Sequence, residues 1–171
     1  PNASGRKPDS PFGMMYWDQP GREMAEFYQK LGVKLVVIFP ELERLHLFST
    51  GAFDVMPMMW TLPQGTPDED EKLRQQIQPY LQAGQQVFSN FWETDLRVPS
   101  QMFAASMRRF TDIIKQAAPN AKTVVGGMAW FNVAYVQQLL QAIGSGTPYF
   151  DAVTAMSYNT PTPPEYAGLD E

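Results

Sequence analysis

The chain has 171 residues, 44% of them hydrophobic and 18% charged, which is typical of a globular domain and unlike a disordered segment. A formal net charge of -5 argues against a nucleic-acid partner, and no apolar run approaches the ~18 residues that a membrane span needs. The sequence has no cysteine and one histidine, so a disulfide is excluded and a metal site is not expected. No G-x-G-x-x-G or G-x-x-x-x-G-K-[ST] loop is present, so no nucleotide cofactor is expected either.

Predicted strands and helices alternate about six times between an arm at residues 1–11 and a polar tail at 160–171. The strand candidates are 12–16, 34–39, 53–59, the start of 86–95, 122–128 and 150–156. The helix candidates are 24–31, 41–48, 67–81, 101–118 and 133–143. This alternation predicts one α/β domain with a parallel sheet and helical crossovers. Two architectures fit, an open doubly wound sheet and an incomplete (β/α)8 TIM barrel with about six β/α units.

Local signals predict where several helices begin and end. Thr66 and Glu69 fit a capping box at the start of the third helix, whereas Pro79 is expected to kink that helix or end it early. Ser100 and Asn132 are expected to cap the two long helices that follow. The residues expected on buried helix faces are Met24, Phe27, Tyr28 and Leu31 in the first helix, Leu73, Ile77, Tyr80 and Leu81 in the third, and Val136, Leu139, Leu140 and Ile143 in the last.

Aromatic residues follow most of the predicted strands. The rings that do so are Trp17, Trp60, Trp92, Trp130 and Tyr158. In both architectures function collects at the carboxyl ends of the strands, so these rings are expected on one rim. Flat rings cover the apolar C–H faces of sugars, which favours a carbohydrate site; the alternative is that they cap core layers or seal loops. Gly126 and Gly127, late in the fifth strand, indicate a close approach of backbone or ligand.

Carboxylates are the catalytic groups that the sequence offers. His46 lies in a polar connecting segment and no G-x-S-x-G motif is present, which argues against a Ser-His-Asp mechanism. Glycoside hydrolysis uses two carboxylates, one as acid and one as nucleophile or base. Glu93, beside a tryptophan at the end of the fourth predicted strand, is the strongest candidate for the acid, and the alternative is a solvated loop glutamate. Weaker candidates at strand ends are Asp18, Glu41 and Asp95.

The stretch 87–96 resembles the fourth-strand motif of clan A retaining glycoside hydrolases, especially the β-xylosidase and α-L-iduronidase family. That motif runs aromatic-x-x-W-N-E-P-D, and the matching residues are Phe91-Trp92-Glu93-Thr94-Asp95. The helix, turn and strand that follow are also similar, with Pro119-Asn120-Ala121-Lys122 as the turn and Val124-Val125-Gly126-Gly127 in the strand. Residues 150–158 resemble the sixth strand of the family. The similarity covers roughly 87–158, and the earlier part matches only in strand order.

The resemblance implies hydrolysis of glycosidic bonds by double displacement, with Glu93 as general acid/base and a carbohydrate as substrate. Trp92 stands where the family has asparagine, Thr94 where it has proline, and Met156-Ser157 where histidine is common. The nucleophile of the family is a glutamate after a seventh strand, and no glutamate here takes that place. We therefore expect either a fragment, with the remainder of the barrel supplied by a longer chain, or a truncated relative of the family. An extracellular or periplasmic location is expected for a polysaccharide-degrading enzyme of this kind.

The residues at the strand ends fit more than one function. Substrate contacts are expected from Trp17, Trp60, Trp92, Asp95, Trp130, Asn132 and Tyr158. The same residues suit a carbohydrate-binding relative of the barrel that does not cleave its ligand. A doubly wound protein of unrelated function is the third hypothesis, and it predicts a strand order with a central switch point.

Overall fold

The computed structural model describes residues 13–16, 21–48, 53–90, 93–129, 132–144 and 149–156, with the backbone alone for 13–16 and 156. The elements are β1 Gly13–Tyr16, α1 Arg22–Leu31, β2 Leu35–Ile38, α2 Leu42–Phe48, β3 Asp54–Pro57, α3 Pro67–Gln82, β4 Val87–Ser89, α4 Thr94–Arg97, α5 Ser100–Ala117, β5 Lys122–Ala129, α6 Val133–Ile143 and β6 Ala152–Met156. The predicted alternation of strand and helix is confirmed in this part of the chain. The short helix α4 was not predicted.

The strands are parallel and follow one another in chain order. Hydrogen-bonded ladders join β1 to β2 to β3 and β4 to β5 to β6. Met58 and Ser89 form a parallel bridge between the two groups, and the Met59 N–H donates to the Ser89 carbonyl at 2.8 Å. Across the described strands the order is therefore sequential, without the central switch point that the doubly wound hypothesis predicts.

The hydrophobic core lies between the strands and the helices that cross over them. The predicted buried stripe of α3 is confirmed at Leu73, Ile77 and Tyr80. Large side chains are fully buried in this core, among them Phe48, Phe88, Phe103, Met107 and Phe110. Burying each such side chain contributes about 1.5–3 kcal/mol, so this layer fixes the helices against the strands.

Three residues predicted to be buried are exposed. In α1 the buried residues are Ala25 and Tyr28, whereas Phe27 and Leu31 are exposed; in α6 Leu140 is exposed. Within the described residues α1 packs beside α2 and α6 packs beside α5. The three exposed side chains lie on faces that these neighbours do not cover, which a helical period alone does not reveal.

The predicted helix boundaries are confirmed in two places. Thr66 Oγ1 accepts a hydrogen bond from the Glu69 N–H at 3.3 Å, and Glu69 Oε2 accepts one from the Thr66 N–H at 3.2 Å, which forms the capping box. Asn132 Oδ1 accepts from the Tyr135 N–H at 3.1 Å and caps α6. Short polar side chains at these positions satisfy N–H groups that the helix itself leaves unpaired.

Two other boundary predictions were wrong. The early end that Pro79 was expected to cause is not found, since helix α3 continues to Gln82; a proline so close to the helix end disturbs only the last turn. Ser100 is the first residue of α5 rather than its cap, and Pro99 takes the cap position. The Ser100 hydroxyl lies 3.1 Å from Gln138 Oε1, so it joins α5 to α6 instead.

An ion pair joins α3 to α5 near the start of α3. Arg109 Nε donates to Asp70 Oδ1 at 2.6 Å, and Arg109 Nη2 donates to Asp70 Oδ2 at 2.7 Å. These hydrogen bonds hold the pKa of Asp70 below its ordinary value of 3.8. A carboxyl whose pKa is lower in the folded state stabilises that state above the unfolded pKa, and the contribution disappears as the pH falls through the folded pKa.

We predict that Asp70→Asn lowers the free energy of unfolding at neutral pH and that the difference from the native protein shrinks as the pH falls below 3.8. Urea titrations across the acid range would measure this difference. Asp112→Asn, at an exposed position of α5, changes the net charge equally and serves as the control. Parallel pH curves for the native protein and Asp70→Asn would contradict the prediction.

Candidate functional site

Glu93 lies between β4 and α4 in an unusual backbone conformation. Its φ of 52° and ψ of 35° are left-handed, and it is the one non-glycine residue with positive φ in the described part of the chain. A side chain in this region costs of order 1–3 kcal/mol, so surrounding contacts must hold it there. Because strained residues of this kind cluster at functional sites, Glu93 and the residues around it form the candidate site.

The Glu93 backbone is fixed by β5, and its side chain meets a cation. The Glu93 N–H donates to the Gly127 carbonyl at 2.7 Å. The Glu93 side chain is 19% exposed, and its Oε2 lies 3.6 Å from Arg97 Nη2 on the next turn. The carboxylate is therefore partly accessible at the carboxyl end of β4, while its backbone is held by Gly127 and its side chain lies beside Arg97.

The segment of β5 to which the Glu93 N–H donates forms a β-bulge. On either side of it Val125 pairs with Val153 and Met128 pairs with Ala155, so Gly126 and Gly127 together oppose Thr154. The Gly127 N–H donates to Thr154 Oγ1 at 2.7 Å, and the Thr154 hydroxyl lies 3.2 Å from the Val125 carbonyl oxygen. A bulge of this kind re-aims the strand beside it, here toward Glu93.

The predicted close approach at the glycine pair is confirmed as a backbone contact. A Cβ placed on Gly126 would lie 2.1 Å from the Asn90 carbonyl oxygen and 2.7 Å from Ser89 Oγ. Asn90 is completely buried, and its Oδ1 accepts a hydrogen bond from the Gly126 N–H at 2.8 Å. Glycine is therefore required for β4 and β5 to meet at this distance.

Asp95 connects α4 to the end of β5 and to the start of α6. Its Oδ1 accepts from the Ala129 N–H at 2.9 Å, and its Oδ2 lies 3.4 Å from Asn132 Nδ2. A second connection runs from the Tyr135 hydroxyl to the Val98 carbonyl at 2.8 Å. Burial raises the pKa of Tyr135 to about 12, so the phenol keeps its proton and remains a donor. The predicted substrate contacts of Asp95 and Asn132 stay predictions, and the structure places the two side chains beside each other.

Trp60, after β3, forms an ordered aromatic stack. Its ring lies parallel to that of Phe39 with centroids 4.9 Å apart and an interplanar angle of 8°. The Arg44 guanidinium stands 5.3 Å from the Phe39 centroid and pairs with Glu41. Because Trp60 is still 45% exposed, it offers a flat, positioned surface at the strand end next to β4.

The other predicted site residues lie outside the described residues. They are Trp17, Asp18, Trp92, Trp130 and Tyr158. His46 is exposed on α2, as a surface role predicts. In the described part of the chain no three side chains of histidine, cysteine, aspartate or glutamate cluster as metal ligands. No helix in that part is long and apolar enough to cross a membrane.

The sequence made Glu93 a candidate but did not single out Asn90 and Thr154, which contact the residues around it. Both are polar residues inside or at the end of a predicted strand, which was the available signal. The sequence does not show that Asn90 contacts Gly126 and that Thr154 contacts Gly127, because these contacts depend on how the strands pair.

We predict that Gly126→Ala destabilises the fold by about 3 kcal/mol, the upper end of the overpacking range, because the new methyl group meets backbone atoms of β4. Gly84→Ala is the control, since φ is 81° there and nothing lies within 4 Å of the added Cβ. That change should cost about 1 kcal/mol from backbone strain alone. Chemical denaturation would measure both variants, and equal costs would refute the close approach.

Comparison with known proteins gives structural likeness and no match in sequence. No protein-family model matches the chain, and no curated protein matches it. A structure of N2152 from Neocallimastix frontalis is 13% identical with a TM-score of 0.58, covering 76% of this chain and 39% of that one. The carboxyl transferase domain of Rhizobium etli pyruvate carboxylase is 14% identical with a TM-score of 0.55, covering 84% of this chain and 26% of that one.

A third structure is an exo-beta-1,4-mannosidase, Op5Man5, from Opitutaceae bacterium strain TAV5. It is 15% identical with a TM-score of 0.47, covering 73% of this chain and 34% of that one. At this TM-score the likeness supports no inference about the chemistry of the chain. The chain thus spans less than half the length of each of these structures. The first two likenesses concern the fold alone, an α/β arrangement of parallel strands that is TIM-barrel-like.

Proposed function

We propose that the chain forms about six units of an incomplete (β/α)8 TIM barrel and carries the acid/base residue of a retaining glycoside hydrolase. The observation that carries this proposal is Glu93, a partly exposed carboxylate held in a left-handed conformation at the carboxyl end of β4. In a TIM barrel the catalytic residues stand at the carboxyl ends of the strands. The resemblance of the surrounding stretch to the acid/base motif of clan A enzymes supports the same role.

The strand order supports the barrel. In the described part of the chain six parallel strands follow one another in sequence with helices between them, as they do around a (β/α)8 barrel. A complete barrel closes with two further strands, and the nucleophile that the resemblance implies follows the first of these. The remainder of the barrel is therefore the partner that the proposal requires.

The proposed mechanism assigns two successive steps to Glu93. In the first step its protonated carboxyl donates a proton to the glycosidic oxygen while the nucleophile attacks the anomeric carbon. In the second step its carboxylate removes a proton from water, which then releases the sugar from the nucleophile. The two carboxyl groups of a retaining enzyme stand about 5–5.5 Å apart, so the nucleophile must come from a strand end across the barrel.

A carbohydrate is the substrate class that the aromatic surface supports. Trp60 presents a flat ring whose position is fixed by the Phe39 stack, so a sugar that binds there orders little further structure. Trp17, Trp92, Trp130 and Tyr158 belong to the same proposed rim. Asp95 and Asn132 are proposed to contact the sugar through the hydrogen-bonding positions that their contact with each other does not use. An extracellular or periplasmic location belongs to the proposal, because polysaccharides are found there.

A second candidate function is carbohydrate binding without cleavage. The observation that favours it is the use of Asp95, the nearest carboxylate in sequence, as a link to Ala129 and Asn132. The chain then offers a stacking surface at Trp60 and one carboxylate, Glu93, for which no catalytic partner is identified among the described residues. The two functions share the rim and differ in turnover.

We predict that Glu93→Gln in the intact protein lowers kcat for an unactivated glycoside by about 10²–10⁴-fold, the usual contribution of a positioned acid/base group. The amide keeps the shape of the side chain and removes its proton. Glu71→Gln, at an exposed position on α3, is the matched control and should leave turnover unchanged. Steady-state kinetics with alkyl and dinitrophenyl glycosides would measure both variants.

Added azide makes this test specific. Azide attacks the glycosyl-enzyme without needing a base, so it should accelerate Glu93→Gln on a dinitrophenyl glycoside and yield a glycosyl azide. Unchanged turnover in Glu93→Gln would sink the assignment of Glu93. An intact native protein that binds oligosaccharides but cleaves none would instead establish the binding function.

We predict that Trp60→Ala weakens oligosaccharide binding by about tenfold, because stacked aromatic contacts contribute on the order of 1 kcal/mol beyond their buried area. Trp60→Phe keeps a flat ring and should retain most of the affinity. Isothermal titration with oligosaccharides would compare the two variants. Phe27→Ala, which removes an exposed ring from α1, is the control, and an equal loss there would count against a specific surface at Trp60.

A further inference from the structure

We propose that Thr154 is a positioning residue for Glu93 and acts through Gly127. The inference rests on the proposed function, since it assigns Thr154 a part in general acid/base catalysis. Thr154 does not contact Glu93 in this role. Its hydroxyl holds the strand segment that in turn holds the Glu93 backbone.

The first step is the contact between Thr154 and the bulge. Gly126 and Gly127 of β5 oppose the single residue Thr154 of β6. The regular ladder therefore leaves one backbone N–H of this glycine pair without a ladder partner. The Thr154 hydroxyl takes the Gly127 N–H at 2.7 Å and lies within reach of the Val125 carbonyl at 3.2 Å. It thereby replaces, with a side chain, the hydrogen bonds that the bulge removes from the ladder.

The second step runs through Gly127 itself. A glycine has no Cβ to restrict it and would otherwise sample a wide range of backbone angles. Because peptide units are planar, two dihedral angles separate the N–H of Gly127 from its carbonyl. Fixing the N–H on Thr154, while Gly126 is fixed on Asn90, restrains the direction of the Gly127 carbonyl.

The third step is the hydrogen bond from the Glu93 N–H to that carbonyl at 2.7 Å. The left-handed conformation of Glu93 is unfavourable for a residue with a side chain, so it persists only where contacts over-determine it. If the Gly127 carbonyl turns away, Glu93 can relax to an ordinary backbone conformation. The carboxyl group then leaves the position from which it donates a proton.

The position of Thr154 in β6 fits this role. Side chains alternate between the two faces of a strand. Val153 and Ala155 line an apolar cavity of about 180 Å³ together with Met128 and Val136, whereas Thr154 does not line it. Thr154 therefore lies on the face of β6 opposite to that of Val153 and Ala155, and it carries a hydroxyl whereas they carry only hydrocarbon. Valine and threonine are both β-branched and suit a strand, so strand propensity does not explain the hydroxyl.

The test compares Thr154→Val, which keeps the shape and removes the hydroxyl, with Thr154→Ser, which keeps the hydroxyl. Thr123→Val is the matched control, because Thr123 is a buried threonine of β5 whose hydroxyl lies 3.2 Å from Thr111 Oγ1 instead. Two readouts are required in the intact protein. One is hydrogen exchange at the Glu93 amide, and the other is the ratio of kcat/KM values on alkyl and dinitrophenyl glycosides.

In Thr154→Val we expect the Glu93 amide to exchange on the order of tenfold faster, since one buried hydrogen bond of about 1.4 kcal/mol corresponds to that factor. We also expect kcat on the alkyl glycoside to fall about tenfold with KM unchanged. The value of kcat/KM on the dinitrophenyl glycoside should fall less, because it reports the first step, in which that leaving group needs no proton. Thr154→Ser should restore both readouts, and Thr123→Val should lower stability without changing the ratio.

The two readouts separate this inference from the proposed function. Native-like Glu93 exchange in Thr154→Val would overturn the inference whether or not the protein cleaves glycosides. If Thr154→Val does not fold, Thr154→Ala and Thr154→Ser provide the same comparison. Equal losses on both glycosides would also overturn it, because a general loss of folded protein lowers all activity alike. Absence of any turnover in the native protein would refute the catalytic function, and faster amide exchange in Thr154→Val would still support the link to Glu93.

Discussion

The hydrogen bond from the Glu93 N–H to the Gly127 carbonyl connects the end of β4 to the bulge of β5, and the geometry of the candidate site depends on it. This bond helps to offset the cost of the left-handed conformation of Glu93. The bond exists because the bulge turns a carbonyl toward β4 instead of along the ladder to β6. A local irregularity in one strand thus determines where the carboxylate of the neighbouring strand end can point.

The same region shows how closely two parallel strands approach when side chains permit it. Gly126 leaves room for the Asn90 carbonyl, and the side-chain oxygen of the buried Asn90 accepts a hydrogen bond from the Gly126 N–H. An unpaired amide at this depth would cost about 1–3 kcal/mol, so Asn90 and the glycine depend on each other. Further along, Asp95 ties α4 to Ala129 at the end of β5. The loop that carries Glu93 is therefore held at both ends by one strand.

The alternation of strands and helices and the caps at Thr66 and Asn132 could be predicted because each depends on residues close together in sequence. The exposure of Phe27 could not be predicted, since it depends on which helix lies beside α1. Glu93 could be selected as a candidate from its place after a strand and from the motif around it. The contact of the Thr154 hydroxyl with Gly127 could not be foreseen, because it depends on a pairing register that places one residue of β6 opposite two of β5.

Glu93 and Asp95 show why residue type alone does not assign a role. They are two positions apart and carry the same functional group, yet Asp95 receives hydrogen bonds from the Ala129 N–H and the Asn132 side chain. A carboxylate engaged in this way stabilises the site by keeping its hydrogen bonds and is poorly suited to exchange a proton with a substrate. Glu93 faces a cation on a surface helix turn and stays accessible. Asp95 thus fixes the turn after β4, and the proposed function assigns the proton transfer to Glu93.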